Sequence, residues 1–443
     1  MQTRVMTANP AARPADAGAC PQCEGPLARN SDWPVWCPAC DWNLTASVAA
    51  QTPPGRFARA ARELGLRLGT RLFTELARQP IAAHPHRDVR GSASLILAHG
   101  LAALVHLSSL LLIAVAALLW LRPWTNLFVL IAALALPLLA WSVRPRVAPP
   151  PEELLRREDF PTLHTLADRT AQAMGAQPAD GLAVSTELNA SFRRAGWRGR
   201  RYVTLGLPLL LLMRPDERAA IVAHELAHGV NGDPLRGHFL YSAVDTVFTW
   251  STVIRPAAIG ASGREQPFGP FISLLAIPID LAMLAASQAF GLFGKGMLLL
   301  VYRESQRAEY LADRLAASVT GPGAMRSALR TLSLSEPAEE MLHRAALNGG
   351  LTQLGALLRE FRRDLPELEL ERLNRLSRRE DWRVDATHPP TALRIDMLAR
   401  FPEHGSPPLL NDGEETLLEA ELARLTPNVQ RELTNHYVVG LHG

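Results

Sequence analysis

His224-Glu225-Leu226-Ala227-His228 decides the reading of this chain. The run closes a segment, Asp216 to His228, with helical punctuation. Pro215 and Asp216 open it, Glu217 occupies the first turn, and Gly229 with Asn231-Gly232 marks its end. Two histidines four apart share one helical face, one turn above the other. Their imidazole nitrogens can therefore meet on a single tetrahedral zinc. Glu225 lies one residue further round, within reach of a water on that metal without taking a ligand position. Two neutral ligands and one nearby carboxylate base is the division of labour a zinc peptidase needs. The bland alternative is an amphipathic helix with surface histidines. Ile221, Val222 and Leu226 weigh against it, because they mark a buried element.

Length and charge bound the alternatives. The 443 residues leave room for two or three domains and a sizeable core. A formal net charge of +3 gives no reason to expect nucleic acid as a partner. Lys295 is the only lysine, and the arginine excess, alongside so much Ala, Leu and Pro, reads as genomic base composition. No secretory signal is expected, since the first long apolar run begins only near Ser92.

All four cysteines fall early, as Cys20-Pro-Gln-Cys23 and Cys37-Pro-Ala-Cys40. Paired knuckles separated by a short spacer fit a structural zinc site with four thiolate ligands, with Pro21 and Pro38 stiffening the turns. So small a segment cannot fold on an apolar core of its own, so the metal supplies its stability. Two disulfides are the competing reading. They need an oxidising compartment, and with no export signal ahead of the cysteines zinc is preferred. The module, taken as residues 1–50, resembles zinc ribbons, a generic class that specifies no partner.

Residues 51–91 read as a basic linker with an amphipathic helix over 56–78: Phe57, Leu64, Leu68, Leu72 and Leu76 oppose Arg56, Arg59, Arg62, Arg67, Arg71 and Arg78. Such a face lies on an anionic membrane surface or is simply solvated. Residues 92–143 read as a transmembrane hairpin. Ser92 to Leu121 carries no formal charge and exceeds the roughly 20 apolar residues that a span requires. Arg122-Pro123 breaks it, and Trp124 to Val143 returns, with Trp120, Trp124 and Trp141 at the interfaces. His99 and His106, inside the first span, are read as helix-to-helix hydrogen bonders. Arg87, Arg90, Arg144, Arg146, Arg156 and Arg157 flank the hairpin, with Arg122 alone in its turn. Positive flanks place both the cysteine module and everything after residue 144 in the cytoplasm. Pro145 to Pro151 is a linker into the domain at 150–400. Inside that domain, 239–301 holds two apolar stretches, Phe239 to Ile254 with Asp245 and Phe271 to Val301 with Asp280 and Lys295. These form a second membrane hairpin with the ionisable groups facing protein, or interfacial or buried helices beside the site; membrane association is preferred. Residues 401–443 are taken as a C-terminal tail.

A catalytic zinc needs a third protein ligand and an open fourth position. A third histidine six residues past the second is excluded, because that position is Pro234. A helix from about Arg303 to Ser318 offers Glu309 and Asp313 on one face, with Glu304 a turn earlier. Ala308, Ala312 and Ala316 give it a slim surface on which the zinc helix can pack closely. On this reading Glu309 ligates the metal while Asp313 accepts the free N–H of a ligating histidine. A solvated acidic pair on an exposed helix is the equal alternative.

Three stretches together resemble the membrane zinc metallopeptidases that include HtpX and the type I CAAX prenyl proteases. They are His224 to His228 running into Asn231-Gly232-Asp233, Glu309-Tyr310-Leu311-Ala312-Asp313, and Thr387-His388-Pro389-Pro390-Thr391 with Arg394 and Ile395. The order matches, and the resemblance covers roughly residues 90 to 400. It implies a mainly α, membrane-associated protein built on a gluzincin-type zinc metallopeptidase domain with a small β-sheet. It also implies Glu309 as third ligand. The His-Pro-Pro segment would lie near the active site, with His388 or Arg394 steadying substrate or oxyanion, or with the prolines making a structural turn. The cysteine module departs from the simplest members of that family.

The reading that results is a membrane-bound, zinc-dependent endopeptidase. One zinc is catalytic, held by His224, His228 and Glu309 with Asp313 behind; one is structural, held by Cys20, Cys23, Cys37 and Cys40. Glu225 is the base. Short strands at Ala183 to Ser185 and Tyr202 to Leu205 flank a turn-rich stretch from 187 to 200. Family members hold extended substrate on such an edge, and Asn189 to Ser191 is where to look for it. The implied substrates are polypeptides, damaged or misfolded membrane proteins among them, and the implied setting is the cell membrane. A membrane-anchored adaptor that uses the ribbon to bind partners, with an inactive peptidase fold, is the rival from another class. A missing ligand or a missing Glu225 would favour it, and none is missing.

Overall fold

The computed structural model describes residues 18–27, 33–45, 56–78, 93–121, 127–142, 148–196, 198–231, 238–256, 269–349, 351–379 and 388–439. Several sequence expectations lie outside those residues: Arg87, Arg90, Arg122, Pro123, Trp124, Arg144, Arg146, Gly232, Asp233 and Thr387. After the cysteine module come α1 (Arg56–Arg78), α2 (Ala93–Trp120), α3 (Leu127–Ser142) and α4 (Pro161–Ala173). Strands β1 (Gly181–Ser185), β2 (Ala190–Ala195) and β3 (Arg200–Gly206) lead into α5 (Leu207–Leu212), α6 (Pro215–Asn231), α7 (His238–Val253) and α8 (Gly269–Thr320). The chain continues through α9 (Pro322–Leu332), α10 (Ser335–Leu347), α11 (Leu354–Arg363), α12 (Glu367–Arg379), α13 (Thr391–Leu398) and α14 (Asp412–Val439). It is a mainly α protein with one small sheet and a four-cysteine cluster near its N-terminus.

The sheet order is β1-β3-β2, with β1 parallel and β2 antiparallel to β3. Gly206 ends β3 where an added Cβ would meet the Glu187 carbonyl at 1.8 Å, so only glycine lets the chain turn there into α5. Every residue of α5 is buried. It shares one core with α4, α6, the last third of α8, α9, α10, α11 and α14. α6 crosses α8 through small residues, Ala220, Ala223 and Ala227 on one helix and Ala308, Ala312 and Ala316 on the other, all nearly inaccessible. Small side chains at the crossing bring the two helix axes close.

Gly229 does not stop α6, which runs to Asn231. The glycine is there for packing: its missing Cβ would sit 3.2 Å from the Phe192 ring of β2. The residues read as a tail after 401 include α14, whose Leu418, Leu422, Val429 and Leu433 belong to the main core. Its Glu421 also accepts the first N–H groups of α4, from Thr162 at 2.7 Å and Leu163 at 2.9 Å.

Among the described residues, Ala93–Trp120 and Ile277–Tyr302 are long and apolar enough to cross a bilayer. Of the return leg expected from Trp124 to Val143, the described part is the apolar helix α3. The other long apolar segment lies in the first half of α8. That helix is a single 52-residue rod running on through Glu309 and Asp313, not a helix that starts near Arg303. α7 packs between α2 and α8, with Leu240, Ala243, Val244 and Val247 against Ala98, Ala102, Val105, Met297 and Val301. His106 Nε2 reaches the Phe239 carbonyl of α7 at 3.1 Å, the helix-to-helix bond expected of it. His99 bonds within its own helix, to the Leu95 carbonyl. Asp245 and Asp280 are half-buried, whereas Lys295 points outward, contrary to the expectation that it faces protein. A long aliphatic stem tolerates that placement by carrying the ammonium toward an interface. In α1 the apolar face packs inward, Leu72 and Leu76 on Tyr310 of α8 and Met397 of α13, while Arg67, Arg71 and Arg78 on the opposite face are exposed.

Glu217 anchors the start of α6. It is fully buried and accepts from the Arg214 N–H at 2.9 Å, from both terminal nitrogens of Arg362 and from the Ser327 hydroxyl. Burial opposes its charge, but Arg362 and Ser327 outweigh burial and hold the carboxyl below its usual value. Its stabilisation is therefore full above about pH 4.5 and drains away as pH falls through the lowered pKa. Glu217→Ala strands the Arg362 charge and costs about 3–5 kcal/mol, read as a lowered Tm at pH 7. The gap between variant and parent narrows below pH 4.5.

Candidate metal centre

His224 and His228 stand one turn apart on the face of α6 that meets α8, and Glu309 faces them from α8. All three are about 1–2% exposed. The two Nε2 atoms lie 3.2 Å apart; Glu309 Oε2 is 3.5 Å from His224 Nε2, and Oε1 is 3.4 Å from His228 Nε2. A tetrahedral zinc with bonds of 2.0–2.1 Å separates its ligand atoms by about 3.3 Å. The two nitrogens of this ligand triangle therefore stand at zinc spacing and each faces a different Glu309 oxygen; one ligand atom from each of the three residues lies within 4.8 Å of the others, and two nitrogens with a carboxylate are the donor set such an ion takes. Glu225, between the histidines in sequence, is buried and stands outside the triangle.

Asp313 Oδ1 accepts from His224 Nδ1 at 3.0 Å, which turns Nε2 toward the triangle. Arg394 of α13 donates twice to Asp313, from Nε at 2.8 Å and Nη2 at 2.6 Å, and lies 3.6 Å from Glu309. It is buried, with Nη2 3.4 Å from Nδ1 and 3.3 Å from Nε2 of His224. His388 is different: its side chain is 42% exposed and its Nδ1 lies 2.7 Å from Glu309 Oε2.

Charge and burial compete here. Desolvation works against a proton on His224, but the bonds to Asp313 and Glu309 prevail and raise its pKa to about 9. Burial likewise opposes the charge on Glu309, yet His388 and His228 hold its carboxyl well below the usual range. Arg394 does the same for Asp313 against its burial.

A family model described as peptidase family M48 matches residues 157–401, more than half of the chain. The chain belongs to peptidase family M48. Curated relatives agree. A protein named protease HtpX homolog from Bacillus licheniformis is 30% identical over 164 residues, 37% of this chain and 51% of that protein. Protease HtpX from Pseudomonas fluorescens is 28% identical over 226 residues, 49% of this chain and 70% of its own length. The protease HtpX homolog of Pyrococcus abyssi is 27% identical over 253 residues, 56% of this chain and 76% of its own length. The chain thus spans about half the length of the first relative and rather more of the other two. No solved structure matches it.

The M48 match begins after the cysteine module, so that cluster is an addition to the family domain. Its four Sγ atoms lie within 4.8 Å of one another, with Cys20–Cys40 at 3.5 Å and Cys23–Cys37 at 3.6 Å. These separations are far from a disulfide bond of about 2.05 Å and near the roughly 3.8 Å between thiolates on one zinc. Burial opposes ionisation of Cys37, but the N–H groups of Cys40 and Ala39 draw its pKa down to about 7, whereas burial pushes the Cys40 thiol up to about 12.

Two features were only partly legible in the sequence, which put a substrate edge near Asn189 to Ser191 and, by resemblance, the His388 segment near the site. β2 sits inside the stretch read as turn, because Arg193-Arg194 hides the inward alternation of Ala190 and Phe192. Its outer edge has no strand partner among the described residues. The contact of His388 with Glu309 has no signal in local sequence, since 79 positions separate them.

Purified protein is expected to hold about two zinc ions per chain, one retained through mild chelation by four thiolates and one removable. Metal analysis before and after chelator treatment measures this. A single zinc that survives Cys20→Ser with Cys37→Ser would remove the thiolate site.

Proposed function

We propose that this protein is a membrane-bound zinc endopeptidase with His224, His228 and Glu309 as ligands and Glu225 as general base. The convergence of the three side chains carries the proposal, with the histidine nitrogens 3.2 Å apart and a Glu309 oxygen 3.5 Å from one and 3.4 Å from the other, and family membership supports it. Zinc bound there would acidify a water and polarise the scissile carbonyl. Glu225, free of ligand duty, takes the attacking water's proton on a carboxylate oxygen and later delivers it to the departing amide nitrogen. Asp313 fixes the tautomer of His224, and Arg394 fixes Asp313, so Arg394 positions the site. His388, half-exposed beside Glu309, is the side chain placed to steady the oxyanion. The free edge of β2 receives extended substrate by backbone pairing, which reads little sequence.

Substrates on this reading are membrane or misfolded polypeptides, as befits membrane quality control. Outward-facing apolar side chains on α2, α3 and the first half of α8, among them Leu104, Leu107, Leu111, Leu134, Leu138 and Leu292, support a bilayer setting. The arginine flanks of 92–143 support a cytoplasmic setting for both the N-terminus and the catalytic domain. The domain itself is then 150–400 with α14 added to it.

Glu225→Gln should abolish cleavage of an unfolded membrane-protein substrate and leave the removable zinc in place, since the base is not a ligand. Glu309→Ala should lose both. Full zinc and turnover in Glu309→Ala would sink the ligand assignment.

Orientation has its own test. A cysteine introduced at exposed Pro408 should resist membrane-impermeant thiol reagents in intact cells and react after lysis, measured against the unaltered chain. Labelling in intact cells would reverse the topology.

A further inference from the structure

The cysteine module does not stand apart from the enzyme. Trp33 packs on Phe361 of α11 with ring centroids 5.7 Å apart. Arg375 of α12 lies over the Trp36 ring at 5.1 Å, pairs with Asp41 at 2.8 Å and donates to the Pro38 carbonyl. Arg372, buried and held by two bonds to Glu369, donates to the Leu44 carbonyl at 2.9 Å. These acceptors ride on the second knuckle. Asp41 N–H bonds back to the Cys37 carbonyl, and Asp41 and Asn43 sit at φ of 59° and 57°, a conformation that needs the closed turn to hold it.

The helices gripped by the module are those that hold the metal centre. Next to Phe361, Arg362 grips Glu217, two turns upstream of His224 on α6. On α12, the Ser377 hydroxyl accepts the Ala392 N–H at 3.0 Å, capping the first turn of α13, and Arg378 makes two bonds to Asp396 at 2.7 and 2.8 Å. α13 carries Arg394, which fixes Asp313 and through it His224.

We infer that the N-terminal cysteine module is an internal brace: folded on its own metal, it clamps α11 and α12 and thereby fixes α6 and α13 around the catalytic zinc. The inference rests on the reading of His224, His228 and Glu309 as zinc ligands. It makes Arg375 a positioning residue for a centre it never touches. It also counts against a partner-recruiting ribbon, because the face carrying Trp36, Asp41 and Leu44 is spent on its own chain.

The test uses full-length, zinc-loaded protein in detergent, with hydrogen exchange and zinc release as readouts. Arg375→Gln leaves all four cysteines intact and breaks the clamp. Exchange should rise over 33–45 and also over 391–398, and the removable zinc should pass to a chelator about tenfold faster. Arg375→Lys, which can still pair with Asp41, should recover most of the difference. Arg363→Gln, at an exposed arginine paired only with Asp364, should behave as the parent. Arg375→Gln added to Asp396→Asn should release zinc no faster than Asp396→Asn alone, since both cut one path. The idea fails if 33–45 loosens while 391–398 and zinc release stay at parental values. Unchanged exchange over 33–45 defeats it equally, because the contact would then clamp nothing. Should Arg375→Gln not fold, Asp41→Asn breaks the same pair from the module side. Neither readout involves proteolysis, so an inactive enzyme would overturn the proposed peptidase and leave the brace standing.

Discussion

Two carboxylates buried at one helix crossing set the terms for everything around them. Glu309 and Asp313 are each about 1% exposed, and an isolated ionised carboxylate there would cost many kcal/mol. Each must therefore be met by positive charge and N–H donors from elsewhere in the chain. Asp313 receives two bonds from Arg394 and one from His224. Glu309 receives His388 and faces both α6 histidines. That demand is why α13 and the His-Pro-Pro turn, far away in sequence, must arrive at α8. It is also why α1 covers the outer side, where Leu72, Leu76 and Met397 close over Tyr310. The shielding is visible in Tyr310 itself, whose hydroxyl is pushed to hold its proton mainly by burial.

The same helix that buries these carboxylates carries one of the two described segments long and apolar enough to cross a bilayer. Glu309 lies about 10 Å past Tyr302, the end of that segment of α8. Because α8 continues from Tyr302 through Glu309, the apolar segment and the candidate site keep a fixed separation. α7, packed on α2 and α8, follows α6 in the chain and belongs to the same apolar bundle. The apolar bundle and the candidate site are thus joined through one helix.

Local periodicity made the heart of the site legible. His224 and His228 at i, i+4, and Glu309 and Asp313 at i, i+4 beside three alanines, each fall on one face of one helix, which spacing alone reveals. The pairing of those faces was only an expectation until the fold brought them together. The limits of α8 misled because Lys295 and the Arg303-Glu304 pair look like the end of an apolar helix. Nothing in that stretch actually breaks a helix: Gly291, Gly294 and Gly296 each cost only about 1 kcal/mol, and packing repays it where Gly294 admits the Phe248 ring at 3.1 Å. α14 carried its signal openly in Leu418, Leu422, Val429 and Leu433, a helical stripe within a stretch otherwise read as tail. The docking of Trp36 and Asp41 on α12 carried none, since complementarity across more than 300 positions has no local period.

These features bear on whether the fold is a working enzyme or a scaffold. A scaffold gains no stability from a buried cluster of two histidines, two carboxylates and an arginine, since apolar side chains of similar volume would serve as well or better. Local rules are broken in this way chiefly where function requires it. The cluster here is also uneven in cover: Asp313 and Arg394, which hold His224, are buried, whereas the side chain of His388 at Glu309 Oε2 is 42% exposed. Two histidines and a carboxylate at ligand spacing, backed by buried charge, are what an ion-binding site requires and a mere helix contact does not.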